Sequence, residues 1–520
     1  MGKTGKQRKK LKQMHSAMDV PVQLKRPLDD DQVDSEPEEE AIATVGSTNV
    51  TASDLATTLK LLTALQSAPE VLVVVVFVAS DSQSVVLLFK SMKAPVFKPL
   101  RAVLHSLRQQ AASHAGIGAG SSLAGKVSDA ISDQRWQDAM DTLSEMRAQK
   151  QFPKLGALQR WVRDCDAAAN TTTQKRDQVV MRVLDAVLRT ADPTTIGALA
   201  AWTSPKELSK IPVLSGLRML GTWDPWPKSE RTESPVSSIQ SGKIVEPSAE
   251  EVEHYKPLFK VICEETGEER RPRNHYPMTI YTSNPNIINY TPDLQQKKIA
   301  APILPETFLI QNLLSLDECR QILTAAESIG FTPDEPIVDT ANNQSTLAHN
   351  VIWLTDPKLT KIIEDRARPH LPPSMPDDGD TLELNSNKER VFEGINPRWR
   401  IYRYVPGAIY RPHIDGGWPK SEYDKEMEKY TFDATNGTTW SRLTFLIYLN
   451  EGFEGGETTY FVPSRETVGV MDAKRVIPRA GCAMVFPHGS VKGNLLHEGS
   501  GVLQGVKYIA RTDVLYRKVG

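Results

Sequence analysis

The chain has 520 residues, more than one hydrophobic core usually organises, so two or three structural units are expected. Its 62 Lys and Arg are set against 64 Asp and Glu, a formal charge of −2, which excludes a globally basic coat for nucleic acid and leaves that role to a local patch. Cys165, Cys263, Cys319 and Cys482 are far apart and lack zinc-type spacing, so they read as buried, reduced thiols of an intracellular protein, cytoplasmic or nuclear.

Residues 1–46 divide by charge, with Lys3, Lys6, Arg8, Lys9, Lys10 and Lys12 ahead of Asp29–Asp31, Asp34, Glu36 and Glu38–Glu40. Such blocks repel and bury no core, which predicts a disordered tail. The run Arg8 to Lys12 suits nuclear import or RNA contact, and equally a solvated tail. The start of the chain has no apolar stretch of the kind a secretory signal needs, and Lys6 stands where a myristoylation signal has Ser or Thr.

Residues 47–225 read as a mainly helical region. Leu55, Leu59 and Leu62 follow helical spacing behind Thr51 and Ser53 as candidate N-caps. The β-branched run Val71–Ala79 is about half the length needed to span a bilayer, so it predicts a buried strand, with Val85–Phe89 as its partner. Leu100, Val103, Leu104 and Leu107 share one helical face. Arg135–Arg147 and Leu155–Cys165 resemble the paired helices of pentatricopeptide or tetratricopeptide repeats, but one pair is also what an ordinary α domain contains. Val179–Leu188 and Thr195–Trp202 continue the helical pattern.

Residues 226–300, rich in Pro, Ser, Thr and charge, read as a linker with local docking segments. The last unit, 301–520, opens on a strand at Thr307–Leu314. A helix follows, capped reciprocally by Ser315 and Glu318, whose stripe of Leu316, Cys319, Ile322, Leu323 and Ala326 should pack on a sheet.

Within that unit, Arg400–Asp415 ends in His413-Ile414-Asp415, and His497 follows in Leu495-Leu496-His497-Glu498-Gly499. Residues i and i+2 of an extended segment share a face, so one imidazole and one carboxylate can address the same point, with a distant histidine as third ligand. Two histidines and a carboxylate on one face of an ion leave positions open, which suits non-haem Fe(II). His-x-Asp alone also fits a turn beside Pro412 and Gly416-Gly417. Lys507 lies ten residues after His497 in the alternating run Gly505–Tyr516, where Lys507, Ile509 and Arg511 share one strand face.

Together, Tyr404-Val405-Pro406-Gly407 before His413-x-Asp415, Thr444–Asn450, Gly455-Gly456-Glu457-Thr458, and His497 with Lys507 resemble the catalytic domain of prolyl 4-hydroxylase-type, 2-oxoglutarate- and Fe(II)-dependent dioxygenases. The resemblance covers residues from about 301 to 520. It implies an α+β multidomain chain whose C-terminal unit is a double-stranded β-helix, or jelly roll. It also implies His413, Asp415 and His497 as iron ligands and Lys507 as the anchor of the far carboxylate of 2-oxoglutarate. By the same resemblance Tyr448 is expected to help bind that carboxylate and Tyr404 to sit near metal and cosubstrate. The implied reaction couples O2 and 2-oxoglutarate to hydroxylation of an unactivated carbon, releasing succinate and CO2, with L-ascorbate as iron reductant.

Arg511 is the rival anchor and His488 the rival third ligand; by the resemblance, the ten-residue offset favours Lys507, and the Glu498-Gly499 turn leading into the anchor strand favours His497. The substrate expected is a prolyl or similar residue of a protein, recruited by the helical region, with no membrane partner. An oxidative nucleic-acid demethylase, which the basic tail permits, and a silent jelly-roll scaffold are the rival readings. Gly416–Arg442, polar and without apolar period, is expected to form a lid over the site.

Overall fold

The computed structural model describes residues 41–45, 48–51, 56–57, 60 and 122–519, the last with breaks at 170–177, 193–209, 215, 228–236, 267–276, 333–347 and 378–388. The chain divides into two compact units, residues 1–118 and 119–520. In the first, Ala41–Val45 pairs antiparallel with Thr48–Thr51. The expected tail therefore ends in a strand, and Thr51 belongs to a strand rather than capping a helix, as its β-branched neighbours favour. The expected strands Val71–Ala79 and Val85–Phe89, the helical face around Leu104 and the helix Thr195–Trp202 lie outside the described residues.

The second unit is built in four layers. Its larger sheet runs, neighbour to neighbour, Phe259–Glu265, Met278–Ser283, His349–Leu354, Arg398–Tyr404, Lys507–Lys518, Thr439–Tyr448, Ala483–Pro487, Phe308–Gln311 and Lys297–Ala300. The smaller sheet runs Tyr410–His413, Leu496–Gly499, Thr458–Pro463, Met471–Val476, Leu217–Met219 and Val213–Leu214. Strand alternation sorts the side chains: Ile310, Trp353, Trp399, Ile401, Phe445 and Val485 join one core on the outer face of the larger sheet. Leu309, Tyr402, Tyr404, Leu446, Tyr448 and Met484 join Tyr460 and Val462 of the smaller sheet in a second core between the two.

Helices cover both outer faces. Leu316–Ile329 and Pro357–Ala367 pack on the larger sheet through Cys319, Ile322, Leu323, Leu359 and Ile363. The capping box read from Ser315 and Glu318 is present in both directions. On the smaller sheet lie α1 (Leu123–Ser132), α2 (Trp136–Ala148), α3 (Leu155–Ala169) and α4 (Gln178–Ala191). Their core, which includes Leu143, Trp161, Val162, Val183 and Val187, is continuous with Ile414, Phe461, Met471, Ala473 and Leu496 of the sheet side.

Three expectations change here. The paired helices form no separate repeat module, because their apolar stripe is buried on the sheet that carries His413 and His497. The span 226–300 is not a plain linker: Phe259–Glu265 and Met278–Ser283 extend the larger sheet, and Ala249–Tyr255 is a helix with its own capping box at Ser248 and Glu251. Likewise Leu217–Met219, within the region read as helical, pairs in parallel with Met471–Val476. Leu217–Met219 is only three residues long and Phe259–Glu265 is partly exposed, so a few apolar residues among Pro and charge suffice to form them. No helix among the described residues is long and apolar enough to cross a membrane.

Gly416–Arg442 also differs from the expected lid. Glu422–Asp424 and Lys429–Thr431 form a hairpin whose Tyr423 and Tyr430 pack on Ile280, Ile352 and Leu354 of the larger sheet. Lys260 pairs with Glu428 across the same contact. The segment is docked on the sheet by its aromatics, and Thr439–Arg442 already belongs to a strand.

Candidate metal centre

Between the two sheets, among the described residues, one group of three side chains has ligand atoms all within 4.8 Å of one another: His413, Asp415 and His497. Antiparallel pairing sets His413 directly opposite His497, after an irregularity that follows Tyr410. The ring centroids are 4.3 Å apart. Each imidazole is locked the same way, His413 Nδ1 donating to Arg411 O at 2.8 Å and His497 Nδ1 to Leu495 O at 3.0 Å. A carbonyl only accepts, so both rings carry the proton on Nδ1 and turn the Nε2 lone pair inward. His413 Nε2 lies 3.4 Å from Asp415 Oδ1, and His497 Nε2 lies 3.6 Å from Asp415 Oδ2.

The electrostatics suit a cation. Burial alone would raise the Asp415 carboxyl, but the Arg511 guanidinium at 3.3 Å and the neighbouring imidazoles hold it well below the usual range. Burial, with His413 nearby, pushes His497 down to about 4, so it presents a neutral ring. Two imidazole nitrogens and one anionic oxygen, converging from one side, are a donor set that fits a divalent first-row metal with open positions.

The group lies at a cavity of about 50 Å³ lined in part by Tyr402, Tyr404, Thr458, Lys507 and Arg511. Across the larger sheet Tyr404 is paired with Lys507 and Tyr402 with Ile509, which places these side chains on one face. Lys507 is 3% exposed, donates to Gly456 O at 2.6 Å, and sits 5.6 Å from the centre of the Tyr404 ring. Burial pulls its ammonium down to about 8, only partly countered by Glu457. Gly456 has φ +66°, and a Cβ there would stand 3.0 Å from the Phe453 ring and 3.2 Å from Lys507 Cδ, so the second glycine of Gly455-Gly456 brings its carbonyl to the lysine.

The members of each rival pair lie in different surroundings. Arg511 is four residues from Lys507, about 13 Å along an extended strand, and its guanidinium faces Asp415. His488 is buried behind Asp415, bonded to Ser441 and Thr444, and is not part of the three-residue group. Tyr404 lines the cavity, whereas Tyr448 is one layer back, its hydroxyl sharing a 2.8 Å hydrogen bond with Thr458, which does line it. Thr458 and Tyr402 were not singled out from sequence. The signal for each was available, Thr458 ending the Gly-Gly-Glu-Thr run and Tyr402 standing two residues before Tyr404 on the same face.

No family model and no curated protein matches this sequence. Among solved structures, the chain is similar to the viral collagen prolyl hydroxylase vCPH from Paramecium Bursaria Chlorella virus-1, in its 2OG complex. That likeness has 21% identity and a TM-score of 0.24, over 41% of this chain and 95% of the other. It is also similar to an oxidoreductase of the 2OG-Fe(II) oxygenase family from Burkholderia pseudomallei, at 16% identity and a TM-score of 0.17. There it spans 31% of this chain and 53% of the other. At these scores neither likeness bears on the fold or the chemistry.

Proposed function

We propose that this chain is a 2-oxoglutarate- and Fe(II)-dependent dioxygenase that hydroxylates an unactivated carbon of a protein, a prolyl or similar residue, and that its two facing sheets are a double-stranded β-helix. One observation carries the reading: two inward-turned imidazoles and an ionised carboxylate share a cavity with a buried lysine that donates to the Gly456 carbonyl. His413, Asp415 and His497 would hold the metal. When bound, Fe(II) supplies the means to reduce O2 at the expense of 2-oxoglutarate, so that one oxygen atom enters the substrate C–H bond as hydroxyl and the other leaves in succinate, with CO2 released.

The protein's own groups orient and protect. Nδ1 bonds to Arg411 and Leu495 fix the imidazole planes with Nε2 turned toward the centre. Lys507 offers its cation to the far carboxylate of the cosubstrate, with Tyr404 beside it and Thr458 within reach. Leu446, Phe486 and Ile509 wall the cavity with hydrocarbon and keep water from the reacting atoms. Ascorbate belongs to the same reading as the reductant that would keep the iron ferrous.

The test is succinate formation from 2-oxoglutarate by purified full-length protein with Fe(II) and ascorbate, alone and with proline-containing peptides. Turnover that requires added Fe(II) and disappears in His413→Ala supports the reading. Absence of Fe(II) binding by the wild type overturns it, and turnover stimulated by alkylated nucleic acid instead of peptide would move the substrate to the demethylase class.

A further inference from the structure

Asp415 lies just beyond the end of the Tyr410–His413 strand, outside the ladder that holds the backbone of the two histidines. What restrains it instead is a chain of hydrogen bonds through the buried polar layer behind it. Thr444 Oγ1 is 2.7 Å from Asp415 Oδ2 and 2.8 Å from His488 Nδ1. The other ring nitrogen, His488 Nε2, is 2.8 Å from Ser441 Oγ, which accepts from Trp418 N at 2.8 Å.

The directions in this chain follow from the chemistry of its ends. The Asp415 carboxylate only accepts, so Thr444 gives it the hydroxyl proton. Thr444 Oγ1 then accepts from His488, which places a proton on Nδ1. At the other end the Trp418 amide occupies an acceptor position of Ser441, whose own proton points to His488 Nε2. Every donor thus faces the same way, from the Trp418 amide to Asp415. Arg511 Nη1 meets the opposite carboxylate oxygen at 3.3 Å, so both oxygens are held.

We infer that His488 is a positioning residue for the metal centre: as a neutral Nδ1–H imidazole it orients the Thr444 hydroxyl, which in turn fixes the plane of the Asp415 carboxylate. The inference rests on the proposed metal site. It explains why a histidine nine residues before His497 is fully buried among polar groups without addressing the cavity. The local backbone agrees, since Gly489 N donates to Asp415 O at 2.8 Å and ties the turn after His488 to the ligand itself.

Two measurements on the full chain test it. In metal-free protein with 15N-labelled histidine, long-range proton–nitrogen spectra at neutral pH should show, for the signals lost in His488→Leu, a neutral ring protonated on Nδ1; an Nε2–H ring overturns the inference. In Co(II) titrations, Thr444→Val and His488→Leu should each weaken binding about 10- to 100-fold and alter the cobalt d–d bands. The double variant should be no weaker than the worse single, and Thr444→Ser should restore affinity to within a few-fold. A merely structural role would lower the melting temperature and leave the bands of bound cobalt unchanged. Should His488→Leu fail to fold, His488→Asn keeps a donor near the Nδ1 position and should retain the spectrum. Wild-type cobalt affinity in a folded Thr444→Val or His488→Leu, or losses that multiply in the double variant, overturn the inference and leave the metal site standing. Wild-type protein that binds Co(II) no better than His413→Ala overturns the site and the inference together.

Discussion

Replacing Lys507 by methionine removes one charge while keeping an unbranched side chain of similar reach. The native ammonium is 3% exposed, donates to one carbonyl, Gly456 O, and has been pulled by burial from 10.5 to about 8. That lowering is roughly 3 kcal/mol of unfavourable burial at neutral pH in the free protein. Methionine relieves this cost and forfeits one hydrogen bond worth about 1–2 kcal/mol, so the free variant should melt no lower than wild type. Binding should suffer instead: a carboxylate deprived of its buried partner loses about 3–5 kcal/mol, a weakening of 2-oxoglutarate on the order of 100-fold or more. Calorimetric titration of 2-oxoglutarate into the Mn(II)-loaded proteins, with scanning calorimetry of the free forms, measures both. The pH dependence adds a sign. The unfolded lysine keeps its proton to about 10.5 and the folded one releases it near 8, so wild-type stability should rise from pH 8 to 10.5, and the variant should lack that rise. Over the same range wild-type 2-oxoglutarate affinity should fall as the cation is lost. A weakening below tenfold in Lys507→Met, with melting unchanged, refutes the anchor assignment; a large drop in melting temperature refutes the burial argument.

Arg511→Met should act on the metal side, weakening Co(II) binding at least tenfold while changing 2-oxoglutarate affinity less than about threefold, because its guanidinium faces Asp415; equal losses in the two titrations would show that both cations share the cosubstrate. Gly456→Ala forces a side chain at φ +66° against Phe453 and Lys507, and urea unfolding should show a loss of about 1–2 kcal/mol together with weaker 2-oxoglutarate binding. Trp161→Ala, in α3 and wholly buried, should cost about 3–5 kcal/mol and lower metal affinity as well, since the same core holds Ile414; unchanged metal binding in the destabilised variant would detach the helical layer from the site. Asp166→Ala removes the 2.7 Å bond from Arg411 and Gln159→Ala the 2.8 Å bond to Ile414 O; each should weaken Co(II) binding less than Trp161→Ala does, measured by the same titration.

What the sequence by itself determined are features whose physics is local. The Ser315 and Glu318 capping box closes within one helical turn, and the alternation of Lys507, Ile509 and Arg511 follows from the pleat of one strand, so both were legible residue by residue. His413 and Asp415 share a face for the same reason. The choice between His497 and His488 is different in kind, because both histidines follow apolar residues, and only pairing across the smaller sheet brings His497 opposite His413 while Thr444 and Ser441 claim His488. Lys507 and Arg511 were equivalent by periodicity and became distinct once Asp415 met one of them. The helices of 122–191 carried a clear apolar stripe, yet a stripe says only that something covers it; that it is the sheet bearing the metal ligands is decided by Phe461, Met471 and Leu496 emerging on the outer face. The same holds for Phe259–Glu265 and Met278–Ser283, whose few apolar residues become strands because an edge of the larger sheet offers them hydrogen bonds, an effect of partners far away in the chain.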